Sequence, residues 1–413
     1  MQAVIFVPDT SAGCRDGAPG GLSLLERQLK QLRALNHGPA TLVVPEAVIL
    51  PPLSDTLVAA RCRVPAGDDP FAALAAAPAL PARFLFLAAD WLLDARVLCA
   101  AAATADDTLM RDEDGRVAPV GRLTGATVER LGATLPASVP TTSLDALDAY
   151  APELRGNVPP YLLRVRSAAD RRLAWRVLLD HVQKRGLDLP GQYFDSPFEN
   201  ALVRALAATR VTPNQITLAT LVLAAVVGVL FLRGSLAFGL VLALVVGVLD
   251  GVDGKLARMK LATSRLGELE HVGDFVYENF WYVALALHLF ATTGMVGFWR
   301  AGMAIVTCDL VDNLLYGAVQ ARTGRFLDEL SPFDRGFRAI AGRRNVYVWI
   351  LVAGVCVRRP ASAFLAVTGW AAITALVHGV RAAVWTWRGA GAAVVTPQVS
   401  EIEPVAGTLV SEK

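Results

Sequence analysis

Residues 250–258 read Asp-Gly-Val-Asp-Gly-Lys-Leu-Ala-Arg, and residues 267–274 read Gly-Glu-Leu-Glu-His-Val-Gly-Asp. The first stretch ends a strongly apolar segment, and the second begins the next one. Carboxylates are costly at the edge of a bilayer and tend to be kept there for a function. The pattern therefore predicts a functional site where two membrane-spanning helices meet.

The acidic residues in these stretches are spaced so that they share helix faces. Asp250 and Asp253 are three residues apart, and Glu270 and Asp274 are four apart. Each pair therefore lies on one face of its helix. Two such helices facing each other would gather four carboxylates into one pocket, which suits the hard cations Mg²⁺ or Mn²⁺.

Basic residues accompany these acids. Carboxylates flanked by cations suggest metal-bridged phosphates, with the cations neutralising the remaining negative charge. The alternative is ordinary juxtamembrane charge kept for solubility, which fits a single acidic pair better than interlocking positions between two apolar helices. The flanking cations are Lys255, Arg258, Lys260 and Arg265.

The two stretches resemble the signature of the CDP-alcohol phosphotransferases, Asp-x-x-Asp-Gly-x-x-Ala-Arg, eight residues, then Gly-x-x-x-Asp-x-x-x-Asp. The first half matches throughout, and Gly267 follows after the required eight residues. In the second half the acidic places fall on His271 and Phe275. If the chain has a one-residue deletion after Gly267, Glu270 and Asp274 occupy the two acidic positions instead. The sequence of residues 267–274 then resembles that of eukaryotic choline and ethanolamine phosphotransferases.

The resemblance implies a membrane transferase of substituted phosphate groups. Such an enzyme moves the phospho-alcohol of a CDP-alcohol onto an alcohol or lipid acceptor and releases CMP. The resemblance also implies two Mg²⁺ or Mn²⁺ ions and a homodimer. Residue by residue, it implies metal binding by Asp250, Asp253, Glu270 and Asp274, proton removal by Asp274 or His271, and ligand binding by Gly254, Ala257, Arg258, Gly267, Arg265 and Asn214.

Hydrophobic residues make up 54% of the 413-residue chain, but they are unevenly spread. Six apolar runs predict six transmembrane helices, and the fifth is short for a full crossing. The expected fold is multi-domain, with an N-terminal α/β nucleotidyltransferase-like domain and an all-α membrane domain. The runs cover residues 214–232, 236–253, 273–293, 298–319, 345–357 and 361–385.

Four segments follow from these patterns. Residues 1–190 are expected to form the α/β domain, and 191–210 an amphipathic helix in the membrane interface or, equally, a simple linker. Residues 211–388 are expected to form the membrane domain, and 389–413 a disordered tail. Lys and Arg collect in the loops after the second and fourth runs, which predicts a cytoplasmic active site and N-terminal domain at the inner membrane.

Three further features stand out near the apolar runs. Asp309 and Asp312 share one face of the fourth run, which suggests either a function or pairing with an arginine. Arg343 and Arg344 open the fifth run, where they would bind an acceptor's phosphate or supply plain positive-inside charge. Thr-Pro-Asn at 212–214 is typical of a helix start, with Pro in the first turn.

The N-terminal residues predict βαβ units. Apolar runs at 2–7, 41–44 and 83–88 fit buried parallel strands, and residues 22–35 fit a helix. Residues 21–32 and the strand ending at Asp90 resemble sugar nucleotidyltransferases. The whole chain resembles bifunctional inositol-1-phosphate cytidylyltransferase/di-myo-inositol-phosphate-phosphate synthases. Residues 9–21 lack the triphosphate-binding Gly-x-Gly-Thr/Ser-Arg turn, so we expect a degenerate domain with a structural or regulatory role.

The five cysteines are scattered without paired spacing, which predicts neither a zinc site nor a disulfide framework. The first residues lack the features of a signal peptide and are expected to form a strand. Two alternatives to a transferase stay open: a membrane protein that has lost its metal chemistry, and a membrane-anchored cytidylyltransferase. A nucleic-acid partner is not expected. The donor is expected to be small and polar, such as CDP-inositol, and the acceptor a neutral lipid alcohol or an inositol phosphate.

Overall fold

The computed structural model describes residues 1–8, 19–50, 56–132, 135–262 and 266–389. For residues 135–136, 266–272 and 388–389 it describes the backbone alone. The glycine-rich stretch at 9–18, Arg265 and the tail from 390 therefore lie outside the described residues, and so do the side chains of Gly267, Glu270 and His271. The chain forms an N-terminal α/β half and a C-terminal helical half.

The N-terminal half is built on a seven-stranded sheet with the order β3-β2-β1-β4-β7-β6-β8. Strands β1 to β4 are parallel to one another, and β7 runs antiparallel to β4 and β6. The centre of the sheet is apolar and fully covered, which is typical of parallel strands. The strands are β1 Gln2–Phe6, β2 Ala40–Pro45, β3 Val58–Val64, β4 Arg83–Ala88, β5 Trp91–Leu93, β6 Thr108–Arg111, β7 Val117–Thr124, β8 Thr141–Ser143, β9 Tyr150–Ala151, β10 Gly156–Asn157 and β11 Leu162–Arg164.

Six helices accompany these strands. The first begins after Ser23, whose hydroxyl accepts a hydrogen bond from the Glu26 N–H at 3.1 Å, and it buries Leu25, Leu29 and Leu32 against the sheet. Its leucines at helical spacing explain why the sequence predicted it. The helices are α1 Leu24–Ala34, α2 Pro70–Ala75, α3 Ala95–Ala103, α4 Gly125–Leu131, α5 Leu135–Ser138 and α6 Ala168–Val182.

A π-helical turn at Gly191–Asp195 leads into the helical half. Its helices are α7 Ser196–Ala207, α8 Pro213–Leu232, α9 Leu236–Lys260, α10 Leu266–Thr293, α11 Val296–Thr323, α12 Pro332–Arg338, α13 Arg344–Cys356 and α14 Pro360–Gly389. Within the described residues, α8, α9, α11 and α14 are long and apolar enough to cross a membrane, and α13 is a shorter apolar helix. Helices thus occupy all six predicted positions, while the number of spans stays a prediction.

The start of α8 confirms its predicted form. The Thr212 hydroxyl accepts a hydrogen bond from the Gln215 N–H at 3.3 Å, and the Gln215 side-chain oxygen accepts one from the Thr212 N–H at 3.0 Å. Pro213 occupies the first turn, where its missing N–H costs nothing.

The two halves share an apolar cluster and several polar contacts. Leu24 and Leu178 from the N-terminal half pack with Val252, Leu256 and Met259 of α9. The Arg27 guanidinium donates to the Met259 carbonyl at 2.8 Å. The N-terminal half is therefore packed directly against the helix that carries the first acidic stretch.

Candidate active site

A cavity of about 740 Å³ lies among the helices and is closed on one side by the N-terminal half. Four of the residues that the family resemblance assigned to the site line it: Asp250, Gly254 and Arg258 from α9 and Asp274 from α10. One acid from each acidic stretch, Asp250 and Asp274, therefore lines the same cavity.

Asp250 and Asp253 point to different partners. One carboxylate oxygen of Asp250 accepts a hydrogen bond from Arg344 at 2.6 Å. Asp253 is only 2% exposed, and it accepts from the Thr217 hydroxyl at 2.7 Å and from the Gly254 N–H at 2.6 Å. Asp250 thus lies on the cavity surface, whereas Asp253 lies deeper, between α8 and α9.

Arg258, the last residue of the first stretch, lies along the cavity wall. Its Nε donates to the Val182 carbonyl of α6 at 2.9 Å. A side chain on Gly254 would meet the Arg258 guanidinium at 3.5 Å, so the glycine keeps this wall open. Two other predicted ligand-binding residues, Ala257 and Asn214, are not among the residues that line the cavity.

Helix α10 contributes an acid that the sequence analysis missed. Glu278 lines the cavity together with Asp274 and lies four residues beyond it, so it continues the same helix ridge. Glu270 occupies the position one turn earlier on that ridge. The spacing could have revealed Glu278, but the family signature ends at Asp274.

Arg344 connects three helices at the cavity. It donates to Asp250 of α9, forms an ion pair with Glu278 of α10 at 3.3 Å, and bonds to the Tyr277 hydroxyl. Its side chain is 10% exposed. Arg344 therefore positions acidic residues, which is more than the plain positive-inside charge that the sequence also allowed. The neighbouring Arg343 lines the same cavity.

The predicted pair on α11 also faces the cavity. Asp309 accepts a hydrogen bond from Asn279 at 2.8 Å, and Asp312 pairs with His378 at 2.5 Å. The hydrogen-bond partners of these two acids are therefore an amide and an imidazole. Both side chains line the cavity.

Helix α7 and the turn before it add two further acids. Glu199 is paired with Lys255 at 2.8 Å, and Lys255 also donates to Asn200 at 2.8 Å. Asp195 accepts from the Asn345 amide at 3.0 Å. Burial, together with the nearby Glu199 carboxylate, raises the pKa of Asp195 to about 7.

Helix α7 has one buried and one exposed apolar side. Val203 and Ala207 are buried, whereas Phe198 is 54% exposed. Gly251 makes the close approach of α7 to α9 possible, because a side chain there would collide with the Glu199 carboxylate. The exposed Phe198 suits an interfacial position, which stays a prediction.

The donor set suits a hard divalent cation. Asp250 and Asp274 line one cavity from facing helices, and the Asp253 carboxylate is buried one turn away. Carboxylate oxygens are the ligands that Mg²⁺ and Mn²⁺ prefer. Among the described residues, no group of three or more acidic, His or Cys side chains is close enough to hold an ion, and the Glu270 side chain is outside that description. Metal binding therefore stays a prediction.

Asp90 in the N-terminal half has two arginine partners. Its carboxylate accepts from Arg164 at 3.0 Å and from Arg166 at 2.8 Å, and the residue is 3% exposed. Both arginines donate to the same carboxylate oxygen of Asp90, so this buried charge is paired within the N-terminal half.

Part of the helical half is similar to a known family. Residues 210–322 match the sequence model of the family described as CDP-alcohol phosphatidyltransferase, and this range contains both acidic stretches. The match supports the family prediction for these residues. The resemblance of the whole chain to bifunctional inositol-phosphate enzymes has no such support and stays a prediction.

No curated protein sequence matches the chain. Among solved structures, it is similar to the Mycobacterium tuberculosis phosphatidylinositol phosphate synthase (PgsA1) with CDP-DAG bound. The identity is 15%, the match covers 46% of this chain and 93% of that chain, and the TM-score is 0.35.

Proposed function

We propose that the chain is a multi-pass inner-membrane CDP-alcohol phosphotransferase. The observation that carries this proposal is the common cavity, which collects Asp250, Arg258 and Asp274 from two helices inside the region that matches the family. An acceptor alcohol attacks the β-phosphorus of a CDP-alcohol, and the bond from that phosphorus to the oxygen of CMP breaks.

The chain's own residues bind and orient the donor. Arg258 faces the cavity and supplies positive charge to the diphosphate, while Gly254 leaves room for close approach. Asp250, Asp253, Glu270 and Asp274 would hold two Mg²⁺ or Mn²⁺ ions, which when bound polarise the phosphate and stabilise departing CMP. Positioning and charge neutralisation account for most of the rate in such a displacement.

The acceptor's proton must leave as its oxygen bonds to phosphorus. Asp274 lines the cavity and is one candidate base, and His271, one turn earlier on α10, is the other. Arg344 keeps Asp250 and Glu278 in place on two different helices. Because these side chains are already oriented, little reorganisation is needed when the donor binds.

Substrate identity is also a proposal. The fused N-terminal domain favours a small polar donor such as CDP-inositol over CDP-diacylglycerol. The likeness of residues 267–274 to choline and ethanolamine enzymes favours a neutral lipid alcohol as acceptor, and an inositol phosphate is the alternative. We further propose a homodimer with a cytoplasmic active site.

The test is CMP release by the full chain in lipid nanodiscs. Each member of a panel of CDP-alcohols is supplied with Mg²⁺ or Mn²⁺ and a panel of alcohol acceptors. We expect CMP release with at least one donor, dependent on an acceptor and abolished by a metal chelator. Folded protein that releases no CMP from any donor, or that releases it equally with chelator, would overturn the proposal.

A further inference from the structure

A short hairpin of the N-terminal half reaches the cavity. Strands β9 and β10 pair antiparallel and are joined by a 3₁₀ turn and Arg155. Arg155 has φ 56°, in the left-handed region that non-glycine residues rarely adopt. Such backbone conformations persist only where surrounding contacts hold them, and they are frequent at functional sites. Arg155 lines the cavity.

The hairpin is held against the connection between α11 and α12. The Tyr150 hydroxyl donates to Glu329 at 3.1 Å. The Arg155 guanidinium carbon lies 3.9 Å from the centre of the Phe326 ring. These contacts from β9 and from the turn of the hairpin fix the position of the Arg155 charge relative to the helical half.

A second arginine at this wall is buried and loosely paired. Arg338 of α12 is 8% exposed and lines the cavity. Its closest carboxylate oxygens belong to Asp328 at 3.6 Å and Asp188 at 3.8 Å. Its Nε and Nη1 atoms are buried without a hydrogen-bond partner among the described residues. Buried N–H donors of this kind cost free energy unless an acceptor forms a hydrogen bond with them.

Positive charge is crowded at this wall. Burial, together with the neighbouring Arg343, lowers the pKa of Arg338 to about 10. Burial also lowers the pKa of Arg155; the Asp328 carboxylate opposes this shift and Arg343 adds to it. Both arginines are thus charged groups with reduced access to water, and Arg343 repels each of them, so an anion beside them is favoured.

We propose that Arg155 and Arg338 form an anion subsite for a phosphate monoester, which the N-terminal hairpin completes. This inference deepens the proposed function and rests on it, because the bound group would belong to the substrate that meets the CDP-alcohol. Arginine suits this ligand, since its planar fork matches phosphate oxygens in pairs. The N-terminal half is then part of the substrate site, and removing the Arg155 side chain weakens recognition of the phosphate.

Binding of inorganic phosphate tests the subsite without requiring turnover. The thermal midpoint of the full chain is measured against phosphate concentration at constant ionic strength, with chloride as the replacement ion. Binding to the folded state raises the midpoint as the ligand concentration passes its dissociation constant. In Arg155→Gln we expect the apparent dissociation constant to rise about tenfold or more, since a hydrogen bond to a charged group is lost.

Matched variants separate this effect from general changes in charge or folding. Arg116→Gln makes the same change on an arginine of the same half whose side chain is 78% exposed, and it should bind phosphate as the unmodified chain does. Arg338→Gln should weaken binding as Arg155→Gln does. If that buried variant fails to fold, Arg155→Lys replaces it, with weaker binding expected because the paired geometry is lost.

A second arm distinguishes a soluble ligand from a lipid headgroup. Nanodiscs with phosphatidic acid are compared with nanodiscs of phosphatidylcholine alone. Stabilisation by either free phosphate or phosphatidic acid that is lost in Arg155→Gln supports the subsite and identifies its source. No stabilisation by either, or equal stabilisation in Arg155→Gln, overturns it. Asp253→Asn should retain phosphate binding. Loss of CMP release and loss of phosphate binding can therefore be distinguished.

Discussion

Replacing Asp253 by Asn removes one negative charge from the proposed metal site while preserving its shape. The carboxylate accepts hydrogen bonds from the Thr217 hydroxyl at 2.7 Å and from the Gly254 N–H at 2.6 Å. An asparagine keeps an oxygen for one of these bonds, and its amide can donate to the hydroxyl. The packing around this position, which is 2% exposed, should therefore survive.

The expected loss of stability is much smaller than the expected loss of activity. Exchanging hydrogen bonds to a charged acceptor for neutral ones costs about 1 kcal/mol each, and removing a buried charge offsets part of this. The free energy of unfolding should fall by less than about 2 kcal/mol. A metal contributes several kcal/mol to the transition state, so a loss of about 4 kcal/mol would lower CMP release about a thousandfold.

The assay is CMP release per folded molecule, with thermal unfolding measured on the same sample. Asp334→Asn is the matched control, because Asp334 is also buried, at 5% exposure, but bonds to Arg381 at 2.6 Å and to Trp385 at 3.0 Å away from the cavity. The control should lose stability and keep its activity. Near-normal turnover in Asp253→Asn, or an equal loss of turnover in both variants, would refute the reasoning.

Three further predictions follow from the same contacts. With CTP, Mg²⁺ and inositol-1-phosphate the chain should release no pyrophosphate, because two arginines occupy the Asp90 carboxylate; stoichiometric pyrophosphate that Asp90→Ala abolishes would contradict this. Glu270→Gln should raise the Mg²⁺ needed for half-maximal activity, whereas His271→Ala should lower turnover at an unchanged Mg²⁺ requirement; the opposite pattern would show that the proposed one-residue deletion lies elsewhere. The pKa of Asp195 rises from an ordinary 3.8 to about 7 on folding, so the folded chain holds an extra proton and loses stability as the pH rises between these values. Asp195→Asn should remove that loss, and thermal midpoints that fall equally in both proteins from about pH 5 to about pH 8 would count against it.

Helix α1, the apolar helices and three of the buried strands could be predicted because their signals are local. Strands β1, β2 and β4 are continuous apolar runs in the middle of the sheet, and α8 carries both its cap and its apolar length. Strand β3 was missed because it lies at the edge of the sheet and most of its residues are exposed. An edge strand needs no apolar run, so its sequence does not distinguish it from a loop.

The candidate site could be predicted only where a motif joined its residues. Asp250 and Asp274 were found because the signature fixes both positions. Glu199 and Asp195 lie more than fifty residues before the first of these and carry no motif, and only the packing of α7 against α9 brings Glu199 to Lys255. A contact between side chains of distant elements produces no periodic sequence pattern in either segment.

The same packing changes the role of the flanking cations. Lys255 was expected to neutralise phosphate, yet its ammonium group is 2% exposed and is paired with Glu199. Lys260 donates to the carbonyls of Thr209 and Val211 at 2.8 and 2.7 Å. Of the described signature cations, Arg258 therefore has the strongest case for contacting a ligand's phosphate.

The position of Arg258 depends on the N-terminal half. The Arg258 Nε donates to the Val182 carbonyl, and Arg27 in turn donates to the Met259 carbonyl of the next residue. Rigid support of this kind fixes a side chain to the precision that a displacement needs. If Arg258 binds the donor as proposed, the N-terminal half is therefore expected to be required for transfer, because it orients the signature arginine.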